Sequence, residues 1–160
     1  MPATLFLTCG LQGSGKTTLA RRLENEYAAL RLTADEWLRH LHADLSEPEL
    51  DELRGPVEQL QWATALRVLG LGCNVVLDWG LWARQERDLY RSQARAVRAR
   101  VVLCLLDPPR EELWDRLARR NASLPPGVFR IAEDEFTRAW EFFQRERPTA
   151  AEMDLFDPMP

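Results

Sequence analysis

Apolar positions in this chain fall into short uninterrupted runs separated by stretches with helical spacing. Thr4 to Cys9 is a strand-length run ending in glycine, and Gly15 to Tyr27 places Leu19, Leu23 and Tyr27 on one helical face. Leu30 to Thr33 predicts a second short strand, followed by a helix over Asp35 to His42. Ser46 to Pro48 then breaks the pattern ahead of a longer helix, whose apolar side is Val57, Leu60, Trp62, Ala63, Leu66 and Leu69 and whose end is marked by Gly70 and Gly72. Val75 to Leu77 predicts a third strand and Ala83 to Arg98 a third major helix. Val101 to Leu106 has the continuous apolar character of a strand buried on both faces, stopped by Pro108 and Pro109. Glu111 to Arg120 and Ala132 to Arg145 are helical, with the loop Asn121 to Gly127 between them, and Leu155 and Phe156 suggest a weak fifth strand.

Strands alternating with helices imply a parallel sheet with right-handed crossovers and helices on both faces, a three-layer α/β/α sandwich of four or five strands. At 160 residues, 46% of them hydrophobic, the chain has material for one well-buried core, so a single domain over residues 1–160 is expected.

Composition narrows the function classes. No run approaches the length of a membrane span and no basic leader precedes the first apolar run, so a cytoplasmic chain without a membrane partner is expected. Cys9, Cys73 and Cys104 fall in or beside apolar runs with no metal-binding or redox spacing, and read as buried reduced thiols. The net charge of -4 disfavours a general affinity for nucleic acid. Its distribution is uneven: residues 84–120 carry 10 basic and 6 acidic groups, net +4, while residues 1–83 (7 and 11) and 121–160 (4 and 8) are each net -4. Such a centre suits a phosphate-rich ligand, or is a solvated arginine-rich helix. Nothing in the composition specifies an oligomeric state.

Of the 21 basic residues, 20 are arginine; the one lysine is Lys16. It belongs to Gly10-Leu11-Gln12-Gly13-Ser14-Gly15-Lys16-Thr17, a complete G-x-x-x-x-G-K-[ST] phosphate loop placed between the first strand and a helix, as its mechanism requires. Its glycines let backbone N–H groups turn inward, and the helix that follows adds its positive end. Lys16 is placed for the β and γ phosphates of ATP, Thr17 for Mg²⁺, and Thr18 extends the nucleotide contact. Lysine and arginine differ in geometry, so a sole lysine at this position points to phosphate binding.

With that motif the chain resembles the small P-loop kinases grouped with zeta toxins, chloramphenicol phosphotransferase and the kinase part of polynucleotide kinase. The resemblance implies roles at matching positions. In Thr33-Ala34-Asp35-Glu36-Trp37-Leu38-Arg39, Asp35 corresponds to the base or orienter of an acceptor hydroxyl and Arg39 to a holder of acceptor or phosphate; the competing structural role is a helix N-cap. In Arg116-Leu117-Ala118-Arg119-Arg120-Asn121, Arg116 and Arg120 share a helical face and correspond to arginines that meet adenine and the transferring phosphoryl group at the base of a short helical lid, here about 121–130. The competing role is a basic helix end stabilised by its dipole.

Asp78 ends the third strand where P-loop enzymes place a metal-side carboxylate, a position equally suited to turn chemistry. Asp107 stands similarly after the fourth strand, where the two prolines favour a turn. Trp79, Trp82, Arg84 and Arg87 follow Asp78 and suit the wall of an acceptor site with a ring or anionic group, or else the packing of a helix.

The expected activity is transfer of the γ-phosphoryl group of ATP, with Mg²⁺, to a hydroxyl of a small-molecule acceptor. Lys16, Asp35, Arg116 and Arg120 are the catalytic candidates, Thr17 and Asp78 the metal ligands, and Asp35, Arg39, Asp78, Trp79, Trp82 and Arg84 the acceptor contacts. The alternatives are a nucleotide-dependent switch acting on a protein partner and a polynucleotide 5′-hydroxyl kinase. With no second lysine, no Asn-Lys-x-Asp guanine-reading motif is possible.

Overall fold

The structure is a computed structural model that describes residues 2–124 and 130–160. Its elements are β1 (Thr4–Cys9), α1 (Lys16–Glu26), β2 (Leu30–Leu32), α2 (Ala34–Leu41), α3 (Glu47–Gly70), β3 (Val75–Leu77), α4 (Arg84–Ala96), β4 (Arg100–Leu105), α5 (Arg110–Ala122), α6 (Glu133–Glu146) and α7 (Ala150–Met153). The strands form one parallel sheet in the order β2-β3-β1-β4. This is the α/β/α arrangement of a P-loop NTPase.

Side chains alternate across the pleat and so decide which helix covers which face. Phe6, Val76 and Val102 point to one side, where they pack on Ala20 and Leu23 of α1. Leu5, Leu7, Val75, Leu77, Val101 and Leu103 point to the other, against α3 to α6 through Ala65, Leu69, Ala94, Leu113, Leu117, Phe136 and Phe143. α2 and the N-terminal part of α3 pack on each other around Ala34, Leu38 and Leu50, beside the sheet's β2 edge. The break read at Ser46–Pro48 is the start of α3: Ser46 is its N-cap, and its backbone N–H donates to Glu49 at 2.8 Å.

The suggested fifth strand does not form. The amides of Leu155 and Phe156 are spent on Glu152 and Met153 in the turn after α7, which leaves them no donors for a ladder. The tail instead meets the start of β4: the Asp157 N–H donates to the Val101 carbonyl, the Asp157 carboxylate accepts from the Val101 N–H, and the Arg100 guanidinium donates to the Pro158 carbonyl, each at 2.8 Å. Pro158, without an N–H, cannot extend the pairing.

Of the lid expected over 121–130, residues 125–129 lie outside the described residues. α5 runs on through Ala122, and the Asn121 side-chain amide holds the far side of the segment, donating to the Ile131 carbonyl at 2.8 Å and accepting from its N–H at 3.2 Å. Of the three cysteines expected to be buried, Cys9 is buried in β1 and Cys104 half-buried in β4, but Cys73 is exposed, because it lies in the turn between α3 and β3 and not in the strand. Among the described residues no helix is long and apolar enough to cross a membrane.

Candidate functional site

Both β1 and β3 end at one side of the sheet, and there the chain turns through the phosphate loop into α1. Gly10 makes this turn possible: its φ is +155°, and a Cβ there would lie 2.4 Å from the Leu106 carbonyl oxygen and 2.8 Å from Ser14 Oγ. The Ser14 N–H donates to the Leu11 carbonyl at 3.2 Å, closing the turn, and α1 starts at Lys16 with its first N–H groups lacking intrahelical acceptors. The Ser14 hydroxyl is buried without a hydrogen-bond partner. An orphaned hydroxyl and free helix-start amides in a cradle that excludes a Cβ at Gly10 match what a phosphate requires.

Lys16 Nζ donates to the Leu11 carbonyl at 2.7 Å. Burial, only partly opposed by the negative charge of Asp78, brings its pKa down to about 8. Asp78 leaves β3 with its side chain 2% exposed; Oδ1 accepts from Thr17 Oγ1 at 3.3 Å and Oδ2 from Arg31 at 3.1 Å. Burial raises the Asp78 pKa, with Thr17 and Arg31 working in the opposite direction. Its carboxylate therefore serves side chains of the loop and of β2, not its own turn. Thr17 beside Asp78 fits Mg²⁺, which keeps several waters and takes few protein oxygens. Among the described residues no group of three or more His, Cys, Asp or Glu side chains could hold a metal ion.

Arg31 was not legible as a site residue. Inside the short β2 it is only 10% exposed and bridges three carboxylates, Glu24 at 3.2 Å, Glu36 at 2.7 Å and Asp78 at 3.1 Å. Burial works against its charge, but the hydrogen bonds and charge of Glu36 outweigh this and raise its pKa. The one available signal was a charged residue between two leucines of a strand.

The loop opens on a cleft of about 1190 Å³, which gathers Lys16, Thr17, Thr18, Asp35, Arg39, Asp78, Trp79, Trp82 and Arg120 with residues from α2, α3 and α6. Thr33 takes the N-cap of α2 and Asp35 stands in its first turn, where its carboxylate pairs with Arg54 of α3 at 2.6 Å. Arg54 also reaches Asp51 at 3.3 Å. Burial opposes the Arg54 charge and Asp35 outweighs it, so its pKa is raised. Glu58 lines the same wall, and burial moves its pKa up. Neither Arg54 nor Glu58 carries a sequence signal, because what makes them site residues is the packing of α3 on α2.

The paired arginines of α5 divide. Arg120 lines the cleft, with its Nε buried and without a hydrogen-bond partner among the described residues. Arg116 does not line it; its guanidinium donates to the Gly13 carbonyl at 3.2 Å and pairs with Glu112. Arg84 also stands off the cleft, half-exposed and paired with Asp88 at 3.3 Å. Arg87 is no part of an acceptor wall: it is fully buried and ion-paired to Glu152 at 2.7 Å. Trp79 is mostly core, 5% exposed, with its ring on Tyr90 and its Nε1 donating to Gln61 at 3.1 Å. Trp82 lines the cleft and donates to the Gly10 carbonyl at 2.9 Å. Asp107 is held by Arg147 at 2.6 Å.

A family model described as an AAA domain matches residues 5–143. No curated protein matches the sequence. In structure, the chain is similar to a chain of the Pnkp1/Rnl/Hen1 RNA repair complex (TM-score 0.71, 23% identity, covering 99% of this chain and 48% of that one). It is similar also to Kti12 of Chaetomium thermophilum in complex with ADP-AlF3 (TM-score 0.66, 18% identity, 96% and 86%) and to a sugar kinase of Janibacter sp. HTCC2649 (TM-score 0.62, 19% identity, 89% and 78%). The chain thus spans about half the length of the RNA-repair chain it matches. At these identities the likeness is one of fold.

Proposed function

The chain belongs to the AAA-domain family, and from that membership we propose that it is a kinase moving the γ-phosphoryl group of ATP onto a hydroxyl of a small-molecule acceptor. The observation that carries this reading is that Lys16, at the end of the phosphate loop, and Asp35, in the first turn of α2, line one cleft that also contains Thr17 and Asp78. A binding module needs the loop alone; a carboxylate facing the same cleft adds what transfer requires.

In this mechanism the loop amides and Lys16 hold the β and γ phosphates, with Lys16 leaving the Leu11 carbonyl to do so. Asp35 takes the proton of the acceptor hydroxyl as its oxygen attacks the γ phosphorus; the bond from that phosphorus to the β–γ bridging oxygen breaks, and ADP departs. Thr17 would hold Mg²⁺ directly and Asp78 through water. When bound, the ion offsets charge on the phosphates. Arg120, which lines the cleft, would meet the transferring group, and Arg39 and Arg54, which line it beside Asp35, would serve the acceptor.

The fold likeness to an RNA-repair chain favours a second reading, a polynucleotide 5′-hydroxyl acceptor. Against it, the charged side chains that line the cleft are six acidic (Asp35, Asp51, Glu58, Asp78, Glu86 and Glu135) to five basic (Lys16, Arg39, Arg54, Arg120 and Arg130), so the cleft lacks the basic excess that a polyanion rewards. Binding to single-stranded oligonucleotides that weakens steeply with salt would favour the second reading. ATP consumption by wild type and Lys16→Ala across a panel of hydroxyl acceptors, with mass spectrometry of the products, tests the first. A phosphorylated product that depends on Lys16 is expected; Lys16-dependent ATP hydrolysis without any phosphorylated product would replace the kinase by a nucleotide-driven switch.

A further inference from the structure

Among the described residues Arg87 is the largest fully buried side chain, yet it lies outside the cleft and takes no part in the proposed chemistry. Its guanidinium makes five hydrogen bonds. Nε and Nη2 hold the two oxygens of Glu152 in α7, at 2.7 and 3.0 Å, Nη2 also reaches the Glu146 carbonyl at 2.6 Å, and Nη1 reaches the carbonyls of Leu81 and Trp82 at 3.0 and 2.5 Å. The last two belong to the segment between β3 and α4, in which Leu81 has a φ of +45°, a left-handed conformation costly for leucine that something must hold.

That segment in turn grips the first residue of the phosphate loop on both of its backbone groups. The Gly10 N–H donates to the Gly80 carbonyl at 3.1 Å, and Trp82 Nε1 donates to the Gly10 carbonyl at 2.9 Å. Gly10 has no room to relax toward β4, since the Leu106 carbonyl already sits where a Cβ would be. A continuous set of hydrogen bonds therefore runs from Glu152, near the C-terminal end of the chain, through Arg87 and Trp82 to the backbone that presents the loop's amides.

We propose that Arg87, clamped by Glu152, is a positioning residue that sets the phosphate loop through Trp82 and Gly10, so that nucleotide affinity depends on α7 although α7 lies outside the nucleotide cleft. A buried ion pair contributes little net stability compared with apolar residues of similar volume, which leaves orientation of its neighbours as what this pair supplies. The inference rests on the loop being a nucleotide site, as proposed above.

The test is Mg·ATP affinity by titration calorimetry on the full chain, without acceptor, alongside thermal unfolding. Trp82→Phe keeps the ring and the buried pair but removes the bond to Gly10. It is expected to weaken Mg·ATP about three- to tenfold, with a fall in melting temperature no larger than one lost intramolecular hydrogen bond gives. Glu152→Gln is expected to weaken Mg·ATP similarly in the wild-type background but less than about twofold in the Trp82→Phe background, because the path is already cut, and Glu152→Asp should recover most of the loss. Should Glu152→Gln prevent folding, Arg87→Lys, which keeps a cation for Glu152 but not the fork that holds the Leu81 and Trp82 carbonyls, makes the same comparison in the wild-type and Trp82→Phe backgrounds. Variants that bind Mg·ATP as tightly as wild type, or losses that add fully in the double variant, overturn the inference while leaving the kinase reading intact. A folded wild type that binds no Mg·ATP overturns both.

Discussion

Arg54 of α3 reaches across to Asp35 of α2 at 2.6 Å, so the carboxylate assigned to the acceptor proton is held by a second helix instead of projecting free from its own. Helix packing thus fixes the direction of the candidate base. Both side chains are at least a third exposed, and exposed ion pairs add little stability. Arg54→Ala is therefore expected to leave thermal unfolding nearly unchanged while lowering acceptor transfer about tenfold, and Asp35→Asn to lower it by about 10²–10⁴. Mg·ATP affinity should stay within about twofold of wild type for both. Steady-state kinetics on the acceptor found by the product screen checks this; full transfer by Asp35→Asn would remove Asp35 from the mechanism.

Lys16 gives opposite pH dependences for stability and for binding. Burial holds its pKa near 8, below the ordinary 10.5, so between those values the unfolded chain binds more protons than the folded one. Its contribution to stability is present above pH 10.5 and is lost as pH falls through about 8. The melting temperature of wild type relative to Lys16→Met should accordingly rise from pH 8 to 10. Phosphate binding needs the ammonium form, so near pH 9 Mg·ATP binding should take up a proton, visible as a dependence of the calorimetric enthalpy on buffer ionisation. Binding without proton uptake at that pH would contradict this assignment of Lys16.

Asp78→Asn separates metal from nucleotide. The substitution removes one of three carboxylates from Arg31 and leaves Glu24 and Glu36 in place, so the expected destabilisation is about 1–3 kcal/mol, less than for a buried charge left wholly unpaired. Dependence of ATP affinity on Mg²⁺ should weaken sharply, while affinity measured in chelator should change little. An unchanged Mg²⁺ titration would assign Asp78 to structure alone.

Gly10→Ala should disable the loop. An alanine methyl would meet the Leu106 carbonyl oxygen at 2.4 Å, a backbone atom of the sheet's β4 edge that cannot swing aside. The expected result is a loss of about 1–3 kcal/mol in stability together with loss of measurable ATP binding. Gly70→Ala is the control, since a Cβ there meets nothing within 4 Å.

Much of the architecture followed from local pattern. The four strands could be read because each is a short apolar run beside a helix of 3.6-residue periodicity, and parallel order follows from that alternation. The tail misled because Leu155 and Phe156 are apolar enough for a strand, while their amides are committed to the turn after α7. Hydrogen-bond commitment is not visible in hydropathy.

At the site, the sequence by itself determined the phosphate loop, because every part of that device is contiguous: glycines for the turn, a lysine and a threonine at the helix start. It also determined that Asp35 and Asp78 stand at the β2 and β3 ends that face the loop. What only the tertiary structure decided is which cations serve them. The 20 arginines are chemically alike along the chain, and their roles separate by packing: Arg31 turns to Asp78, Arg54 crosses from another helix to Asp35, Arg87 is buried against Glu152, Arg120 enters the cleft and Arg84 leaves it. A guanidinium finds its carboxylate through space, and among residues 19 to 65 positions apart that proximity is created only when the helices dock.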